Sequence, residues 1–429
     1  MSEVFDFKRL VAKFKQQPAV ISDEKTYNYQ ELYMKAKTVF MTNTIVKDYI
    51  VLIARPNIDF ICEFLAVHLM QRIPIVVTDD NNYQLAEQLQ SIQGQWQWLA
   101  EPLQEVKVQQ QQLNTLLFLG QTSGTTGTAK LYQRDWLSWK KGFDQCIDIF
   151  DMHNYEAIMT TSPIETSLGM HTLMLSLYSG KTFYCFDHHD QPKPLKPTLV
   201  FTVPTYLVHG YNHWANNIAI KGVVSCGGEL NNELVQNWLT HHHQTLYELY
   251  GSAETSLVSW QKIDDVKKKN DVGHLFPEVQ ISLTAQQRIT VRSPYLFRGY
   301  LGQQHFILFV VMDDVGYFQD EHLYLLARKS DIINHGGNKI YPSEIEAVLR
   351  SVVNEVIVFG VPDAVYGENI IAIVVTKHTQ GMLKKHVASC LPKYKWPIRY
   401  IFVNEIPRTK QQKISRTLLA DYFIKGKWT

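Results

Sequence analysis

Short apolar runs alternate with segments whose apolar residues recur at helical spacing, and this alternation restricts the possible fold more than any other sequence feature. Residues 49–54 and 73–77 are predicted to be buried strands, with a helix between them at residues 59–70. This order is typical of parallel sheets with right-handed crossovers. Further strands of this kind are predicted at residues 198–203, 222–225 and 246–250. We therefore expect an α/β core whose ligand lies beyond the carboxyl ends of its strands.

The last hundred or so residues have a different pattern from the rest. We expect a large N-terminal domain with parallel-rich sheets at residues 1–329 and a small α+β domain at residues 330–429. The predicted elements of the small domain are helices at 342–350 and 382–390, and strands at 355–360, 370–376 and 399–404.

Charge, cysteine content and hydropathy exclude several classes of protein. The formal net charge of +1 predicts no strong attraction to nucleic acid or to an anionic membrane. The five cysteines include no CxxC pair, so we expect neither a disulfide framework nor a zinc ribbon. No apolar run approaches the ~20 residues that would span a bilayer, and no secretory signal is visible at the start. The expected protein has no membrane span and is cytoplasmic.

A loop rich in Gly, Ser and Thr follows the predicted strand at residues 116–119 and ends in a lysine. Glycines let backbone N–H groups approach an anion, hydroxyls add neutral donors, and the lysine adds a positive charge. We expect this loop to bind nucleotide phosphates, although spacing alone also permits a surface turn. The candidate residues are Thr122, Ser123, Gly124, Thr125, Thr126, Gly127 and Lys130. The loop is not a Walker A motif, and the sequence has no GxGxxG dinucleotide motif.

The loop resembles the Ser/Thr/Gly-rich signature of the adenylate-forming superfamily, which includes acyl- and aryl-CoA synthetases, peptide-synthetase adenylation domains and firefly luciferase. A second motif, Tyr250-Gly251-Ser252-Ala253-Glu254, resembles the superfamily's Tyr-Gly-x-Thr-Glu, with Ala253 where threonine is usual. The resemblance implies that Tyr250 lies against adenine and that Glu254 holds Mg²⁺. It also implies an adenine pocket that is lined by Gly227, Gly228 and Glu229.

A third motif, Met312-Asp313-Asp314, is similar to the superfamily's Thr-Gly-Asp, and Ala327-Arg328 is similar to its Gly-Arg turn. The resemblance implies that Asp314 accepts hydrogen bonds from both ribose hydroxyls and that Arg328 contacts the same nucleotide. Asp313 matches equally well on chemistry alone, and the glycine at 316 favours Asp314.

The C-terminal region adds three features of the same superfamily. Ser330 falls at the hinge position, and Gly336 and Gly337 lie in a loop that resembles the one serving thioester formation. The segment from Pro407 to Ile414 resembles Pro-x-Thr-x-x-Gly-Lys-Ile, with glutamine in place of its glycine. This implies that Lys413 is catalytic, together with Glu254, and bridges the carboxylate and the α-phosphate during adenylation.

The resemblance implies an acid–thiol ligase that uses ATP, Mg²⁺ and coenzyme A to convert a carboxylic acid into an acyl-adenylate and then a thioester. The Tyr-Pro pair before Ser343 favours coenzyme A, but transfer to an acyl-carrier protein and a non-catalytic nucleotide-binding relative remain alternatives. Candidate walls of the acid pocket are residues 162–171 and 203–209, and fatty, aromatic and amino acids all remain open, as does the oligomeric state. Glu165 faintly resembles the residue that binds an amino group in peptide synthetases.

Overall fold

The structure is a computed structural model, and it divides into two compact units: residues 1–280 with 291–310, and residues 281–290 with 311–429. The residues that it describes are 4–42, 47–78, 82–99, 115–122, 130–187, 194–209, 217–228, 230, 232–268, 270–303, 307–408 and 414–427. The predicted domain boundary at residues 329 and 330 stays a prediction.

Helices and strands alternate through most of the first unit. The elements of both units are numbered here together in chain order. The helices are α1 (Phe7–Phe14), α2 (Tyr29–Thr42), α3 (Ile58–Leu69), α4 (Asn82–Gln88), α5 (Trp136–Ile149), α6 (Ser167–Ser179), α7 (Pro204–His209), α8 (Asn232–His241), α9 (Pro342–Arg350), α10 (Gln380–Cys390) and α11 (Arg416–Ile424). The strands are β1 (Pro18–Ser22), β2 (Lys25–Asn28), β3 (Tyr49–Ile53), β4 (Ile73–Val77), β5 (Trp96–Trp98), β6 (Leu116–Thr122), β7 (Lys130–Asp135), β8 (Ala157–Thr160), β9 (Thr182–Tyr184), β10 (Thr198–Thr202), β11 (Ile220–Cys226), β12 (Thr245–Tyr250), β13 (Ser259–Lys262), β14 (Asp271–Leu275), β15 (Gln280–Leu283), β16 (Arg288–Arg292), β17 (Val310–Gln319), β18 (His322–Arg328), β19 (Ile333–His335), β20 (Asn338–Ile340), β21 (Glu355–Asp363), β22 (Gly367–Val375) and β23 (Arg399–Phe402).

The first unit contains two sheets that are parallel at their centres. One has the strand order β5-β3-β4-β6-β7, in which β6 and β7 form an antiparallel pair at the edge. The other has the order β14-β13-β12-β11-β10-β8-β9-β1-β2, with parallel pairing from β12 through to β1. Strands β4 and β10 are buried along their whole length, which explains why both appear in the sequence as continuous apolar runs. Within the described residues, no helix is long and apolar enough to cross a membrane.

Helix α3 shows how the local sequence sets these elements. Its N-cap is Asn57, whose side-chain oxygen accepts a hydrogen bond from the backbone N–H of Phe60 at 3.0 Å. Most of its residues are buried, so its stability comes mainly from packing against the sheet and α2. The predicted helix at residues 59–70 and the observed α3 differ by one residue at each end.

The second unit contains an antiparallel sheet of order β20-β19-β22-β21, with β23 parallel to β22. Strands β21 and β22 alternate their apolar side chains between two buried clusters. One cluster includes side chains of α9 and α10, and the other includes side chains of α11. The same unit contains the antiparallel hairpin of β17 and β18.

Candidate active site

Three neighbouring parallel strands of the first unit end at one edge of the larger sheet. Thr202 of β10 lies opposite Ser225 of β11, and Cys226 of β11 lies opposite Leu249 of β12. The segments that follow these strands therefore emerge together, and they contain α7, Gly227 with Gly228, and the turn at 251–254. An open α/β sheet binds its ligands at such an edge.

The predicted adenine-pocket glycines directly follow β11. Gly227 has a φ of +79°, a left-handed conformation that favours glycine. A Cβ atom at Gly228 would lie 3.4 Å from the Pro204 ring, so this backbone already approaches the start of α7 closely. Glu229 lies outside the described residues. Cys226 is buried and its thiol lies 3.3 Å from the Thr202 carbonyl oxygen, in keeping with a packing role.

The segment from Tyr250 to Glu254 forms a tight turn after β12. A Cβ atom at Gly251 would lie 1.7 Å from the backbone oxygen of Ser256, so the turn requires glycine at this position. The Ser252 hydroxyl accepts hydrogen bonds at 3.2 Å from the backbone N–H groups of Glu254 and Thr255. The Ser252 N–H in turn donates to the Thr255 hydroxyl at 3.0 Å. These bonds fix the backbone that carries the Glu254 carboxylate.

The predicted phosphate loop connects two paired strands. Thr122 ends β6 and Lys130 begins β7, and the two residues lie opposite each other in the antiparallel register. The Thr122 hydroxyl lies 3.3 Å from the Lys130 carbonyl oxygen. The loop thus begins and ends at one paired position. Ser123, Gly124, Thr125, Thr126 and Gly127 lie outside the described residues.

Tyr300 lies between the two candidate groups of this unit, and the sequence reasoning missed it. Its hydroxyl donates to Glu254 Oε1 at 2.5 Å, and the Lys130 Nζ lies 5.3 Å from the centre of its ring. The local sequence that could have drawn attention to Tyr300 is the Arg298-Gly299 pair before it. This pair carries little information alone, because the partners of Tyr300 are 46 residues or more away in the sequence.

Arg134 of β7 is a second residue that the sequence reasoning missed. Its side chain is fully buried and donates to the backbone oxygen of Tyr295 at 2.8 Å and to the backbone oxygen of Ala253. Burial lowers the pKa of this guanidinium to about 10, which reflects the cost of keeping the charge away from water. Arg134 thus ties β7 to the turn that carries Glu254.

The predicted ribose-binding residues lie in the second unit, on the hairpin of β17 and β18. Asp314 and Arg328 are opposite each other, with Arg328 Nε 3.6 Å from Asp314 Oδ1. Asp313 instead accepts a hydrogen bond from the backbone N–H of Ser330 at 3.2 Å. Consecutive residues of a strand point to opposite faces, so these two aspartates serve different partners.

The predicted thioester-loop glycines form the two-residue turn of a hairpin between β19 and β20. Gly336 and Gly337 have φ values of +57° and +79°. Positive φ at both central residues is the requirement of a type I′ turn, which explains the pair of glycines. The Gly336 N–H donates to the Tyr366 carbonyl at 2.8 Å, and a Cβ atom at Gly337 would have no neighbour within 4 Å.

Lys413 lies outside the described residues, but both flanking segments are anchored within the second unit. Arg408 forms an ion pair with Glu355. Arg416 forms ion pairs with Asp331 at 2.8 Å and with the buried Glu346 at 2.7 Å.

The candidate walls of the acid pocket include the start of α6. Thr166 caps this helix, and its hydroxyl accepts from the Gly169 N–H at 3.0 Å. His171, one turn further, is buried among aromatic rings, and burial lowers its pKa to about 3. It is therefore neutral at physiological pH and cannot act as a cationic partner there. Glu165 is half-buried and directly precedes the N-cap of this helix.

Comparison with known sequences assigns both parts of the chain. The sequence profile described as AMP-binding enzyme matches residues 50–301, and the profile described as AMP-binding enzyme C-terminal domain matches residues 344–413. The chain belongs to the AMP-binding enzyme family. The predicted membership of the adenylate-forming superfamily is confirmed by these matches.

Several known proteins are similar to this chain over most of its length. The putative long chain fatty acid-CoA ligase VraA of Staphylococcus haemolyticus is 29% identical over 342 residues, which cover 74% of this chain and 73% of VraA. The crystal structure of ATP-bound MatB from Rhodopseudomonas palustris superposes with a TM-score of 0.82 at 18% identity, covering 99% of both chains. The o-succinylbenzoate CoA synthetase MenE of Bacillus subtilis, in complex with an acyl-adenylate intermediate, gives a TM-score of 0.81 at 19% identity over 96% of this chain and 97% of MenE. These likenesses confirm the predicted α/β fold class.

Proposed function

We propose that the chain is an AMP-forming acyl-CoA ligase, which joins a carboxylic acid first to AMP and then to the thiol of coenzyme A. The observation that carries the proposal lies in the first unit. Thr122 and Lys130, at the two ends of the predicted phosphate loop, lie opposite each other in paired strands. Tyr300 contacts both the Lys130 ammonium and the Glu254 carboxylate. Membership of the AMP-binding enzyme family and similarity to a protein named as a fatty acid-CoA ligase support the same reaction.

In the first half-reaction a carboxylate oxygen of the acid attacks the α-phosphorus of ATP. A new carbon-oxygen-phosphorus linkage forms while the bond to pyrophosphate breaks. Lys130 offsets negative charge on the departing phosphates, and Lys413 offsets charge between the acid and the α-phosphate. No covalent bond to the protein is needed, so positioning and charge stabilisation supply the rate.

Glu254 fits a role as a magnesium ligand. Within the described parts of the chain, no group of three or more His, Cys, Asp or Glu side chains could hold a metal ion alone. Magnesium suits such a site, because it is commonly bound by one or two carboxylates together with substrate phosphates and water. The ion would neutralise charge on the phosphates when bound.

The nucleoside part of ATP has separate candidates. Tyr250 offers its ring to adenine beside Gly227 and Gly228 in the first unit. Asp314 and Arg328, paired on one hairpin of the second unit, offer a carboxylate to the ribose hydroxyls and a cation to the same nucleotide.

In the second half-reaction the thiol of coenzyme A attacks the acyl carbonyl carbon and AMP leaves. The Gly336-Gly337 turn has no side chain that would obstruct a narrow thiol channel, which supports its assignment to this step. We also propose that the small C-terminal domain rotates about Ser330 between the two half-reactions, so that the Gly336-Gly337 turn replaces Lys413 at the reacting groups.

The acid is proposed to be a monocarboxylate with an uncharged tail, such as a fatty acid. Among the described side chains of the candidate walls, residues 162–171 and 203–207, none is an arginine or a lysine that could pair with a second carboxylate. The neutral His171 does not supply that charge either. We place the reaction in the cytoplasm, where ATP and coenzyme A are both available to it.

The test is pyrophosphate release from MgATP across a panel of fatty, aromatic, dicarboxylic and amino acids, with and without coenzyme A. The proposal expects turnover with a fatty acid that rises with coenzyme A and yields AMP and a thioester. It also expects Lys413→Ala to abolish pyrophosphate release while ATP binding persists. Turnover with an amino acid that coenzyme A does not accelerate would favour a carrier protein as acceptor. Nucleotide binding without turnover on any acid would contradict the ligase assignment.

A further inference from the structure

Residues 297–301, here called the strap, connect the phosphate-loop strand to the turn that carries Glu254. The Leu301 N–H donates to the Leu131 carbonyl at 2.8 Å, and the Gln133 N–H donates to the Gly299 carbonyl at 2.9 Å. On its other side the strap donates from the Phe297 N–H to the backbone oxygen of Glu254 at 2.8 Å. The strap therefore fixes the distance between β7 and the Glu254 backbone.

The side chain of Tyr300 makes the same connection between the functional groups themselves. Its hydroxyl donates to Glu254 Oε1 at 2.5 Å, and its ring lies 5.3 Å from the Lys130 Nζ. The hydroxyl is the donor in this bond, because an ionised carboxylate can only accept. The bond uses Oε1 of the carboxylate, and no hydrogen bond to Oε2 is found among the described residues.

We propose that Tyr300 is a positioning residue for the metal-dependent step: its hydroxyl orients the Glu254 carboxylate toward the magnesium of MgATP, and its ring steers the Lys130 ammonium toward the same phosphates. The proposal rests on the proposed function, since it assigns Glu254 and Lys130 to the ligands named there. A carboxylate that is held by a charge-assisted hydrogen bond is preorganised and loses less freedom when it binds a cation.

A purely structural role is the competing explanation, and the geometry separates the two. The Tyr300 ring packs edge-on against Phe297 with centroids 5.1 Å apart, and phenylalanine would preserve that packing. The hydroxyl, in contrast, bonds to a functional carboxylate. A Tyr300→Phe substitution therefore removes the orienting bond and keeps the ring beneath Lys130.

Tyr295 supplies a matched control from the preceding turn. Its hydroxyl also makes one hydrogen bond, to the Pro277 carbonyl at 2.6 Å, and that bond does not involve Glu254 or Lys130. Tyr295→Phe thus removes a comparable tyrosine hydroxyl without touching either group.

The experiment measures the dependence of pyrophosphate release on free Mg²⁺ in the full-length enzyme, together with thermal unfolding. For Tyr300→Phe the Mg²⁺ concentration at half-maximal rate is expected to rise about tenfold, the equivalent of one charge-assisted hydrogen bond. Tyr300→Leu, which also removes the ring, is expected to raise the KM for ATP by a further two- to fivefold or so, the usual strength of an exposed cation–π contact. Tyr295→Phe should leave the Mg²⁺ dependence at the wild-type value.

Calorimetric titration of ATP with and without Mg²⁺ provides a readout that does not need turnover. Tyr300→Phe should weaken ATP binding with Mg²⁺ present and leave ATP binding without Mg²⁺ unchanged. An unchanged Mg²⁺ dependence, or an equal loss in Tyr295→Phe, would overturn the proposal. If the wild type binds MgATP but turns over no acid, the ligase assignment fails, and the titration still decides the role of Tyr300.

Discussion

Arg134 offers the sharpest test of how the turn that carries Glu254 is held. The residue is fully buried on β7, and two backbone carbonyls, of Tyr295 and Ala253, accept hydrogen bonds from its guanidinium. We consider two replacements. Arg134→Met removes the charge and both donors, and Arg134→Lys keeps the charge and at most one of these bonds.

We expect the methionine variant to be more stable than the lysine variant, although lysine is the more similar side chain to arginine. Leaving both carbonyls unpaired costs about 2–6 kcal/mol. Methionine recovers the cost of the buried charge, which the lowering of the pKa of Arg134 from 12.5 to about 10 places at roughly 3 kcal/mol. The net effect of Arg134→Met therefore ranges from a gain of about 1 to a loss of about 3 kcal/mol, centred on a loss of about 1 kcal/mol. Lysine loses about 1–3 kcal/mol from one carbonyl, recovers nothing, and buries a more strongly hydrated ammonium.

We therefore expect the free energy of unfolding to fall in the order arginine, methionine, lysine, as measured by urea denaturation monitored by tryptophan fluorescence. Activity follows a separate rule. Arg134→Met releases the Ala253 carbonyl and lets the Glu254 turn shift, so kcat/KM for MgATP should fall at least about tenfold in this variant although it is the more stable of the two. Arg298→Met is the control, because the Arg298 side chain is partly exposed and the buried Asp135 keeps its hydrogen bond from the Ser138 N–H, so the loss should be about 1 kcal/mol. A lysine variant that is more stable than the methionine variant, or a methionine variant with wild-type kcat/KM, would refute this reasoning.

Three further predictions follow from contacts of other residues. Gly251→Ala places a Cβ atom 1.7 Å from the Ser256 backbone oxygen, so the turn must move, and we expect adenylation to fall at least about a hundredfold in a pyrophosphate-release assay. Glu346→Ala removes one of two carboxylates that pair with Arg416, leaving Asp331 and the Val358 carbonyl as its described partners, and should cost about 3 kcal/mol in urea denaturation. A loss below about 1 kcal/mol would contradict the buried ion pair. Burial lowers the pKa of His171 to about 3, so its protonation in the unfolded chain removes stability as the pH falls below about 6.5 and down toward 3, by about 2 kcal/mol at pH 5. His171→Leu should reduce the loss of unfolding free energy between pH 7 and pH 5 by that amount, and an unchanged pH dependence would contradict a buried neutral histidine.

The secondary-structure elements that were predicted from the sequence have local signals. The continuous apolar runs at β4 and β10 and the Pro at the start of α9 depend on neighbouring residues alone, and the predicted bounds agree with the observed ones to within a few residues. The same holds for Gly336 and Gly337, whose positive φ values arise from a two-residue turn.

The residues that hold the site together could not be predicted in this way. The Tyr300 bond to Glu254 joins positions 46 residues apart, and the bonds of Arg134 join positions 119 and 161 residues apart. Neither side chain lies in one of the motifs named in the sequence analysis, and an arginine in a short strand is usually a surface residue. Their roles depend on contacts between segments that are distant in the sequence and meet only in the folded chain. A local sequence pattern cannot predict such contacts.

The two adjacent aspartates show how far a motif can lead and where the structure must take over. On chemistry alone, Asp313 and Asp314 are equivalent candidates for the ribose. The hairpin separates them, because Asp314 lies opposite Arg328 while the Asp313 carboxylate accepts the backbone N–H of Ser330. Arg328 is the cation proposed to contact the same nucleotide, so its pairing with Asp314 at 3.6 Å favours Asp314 for the ribose. Asp313 stands where the superfamily motif has glycine, which could not make the bond to Ser330. The departure from the motif is therefore explained by a local hydrogen bond at the proposed hinge, and it does not weaken the assignment of the nucleotide site.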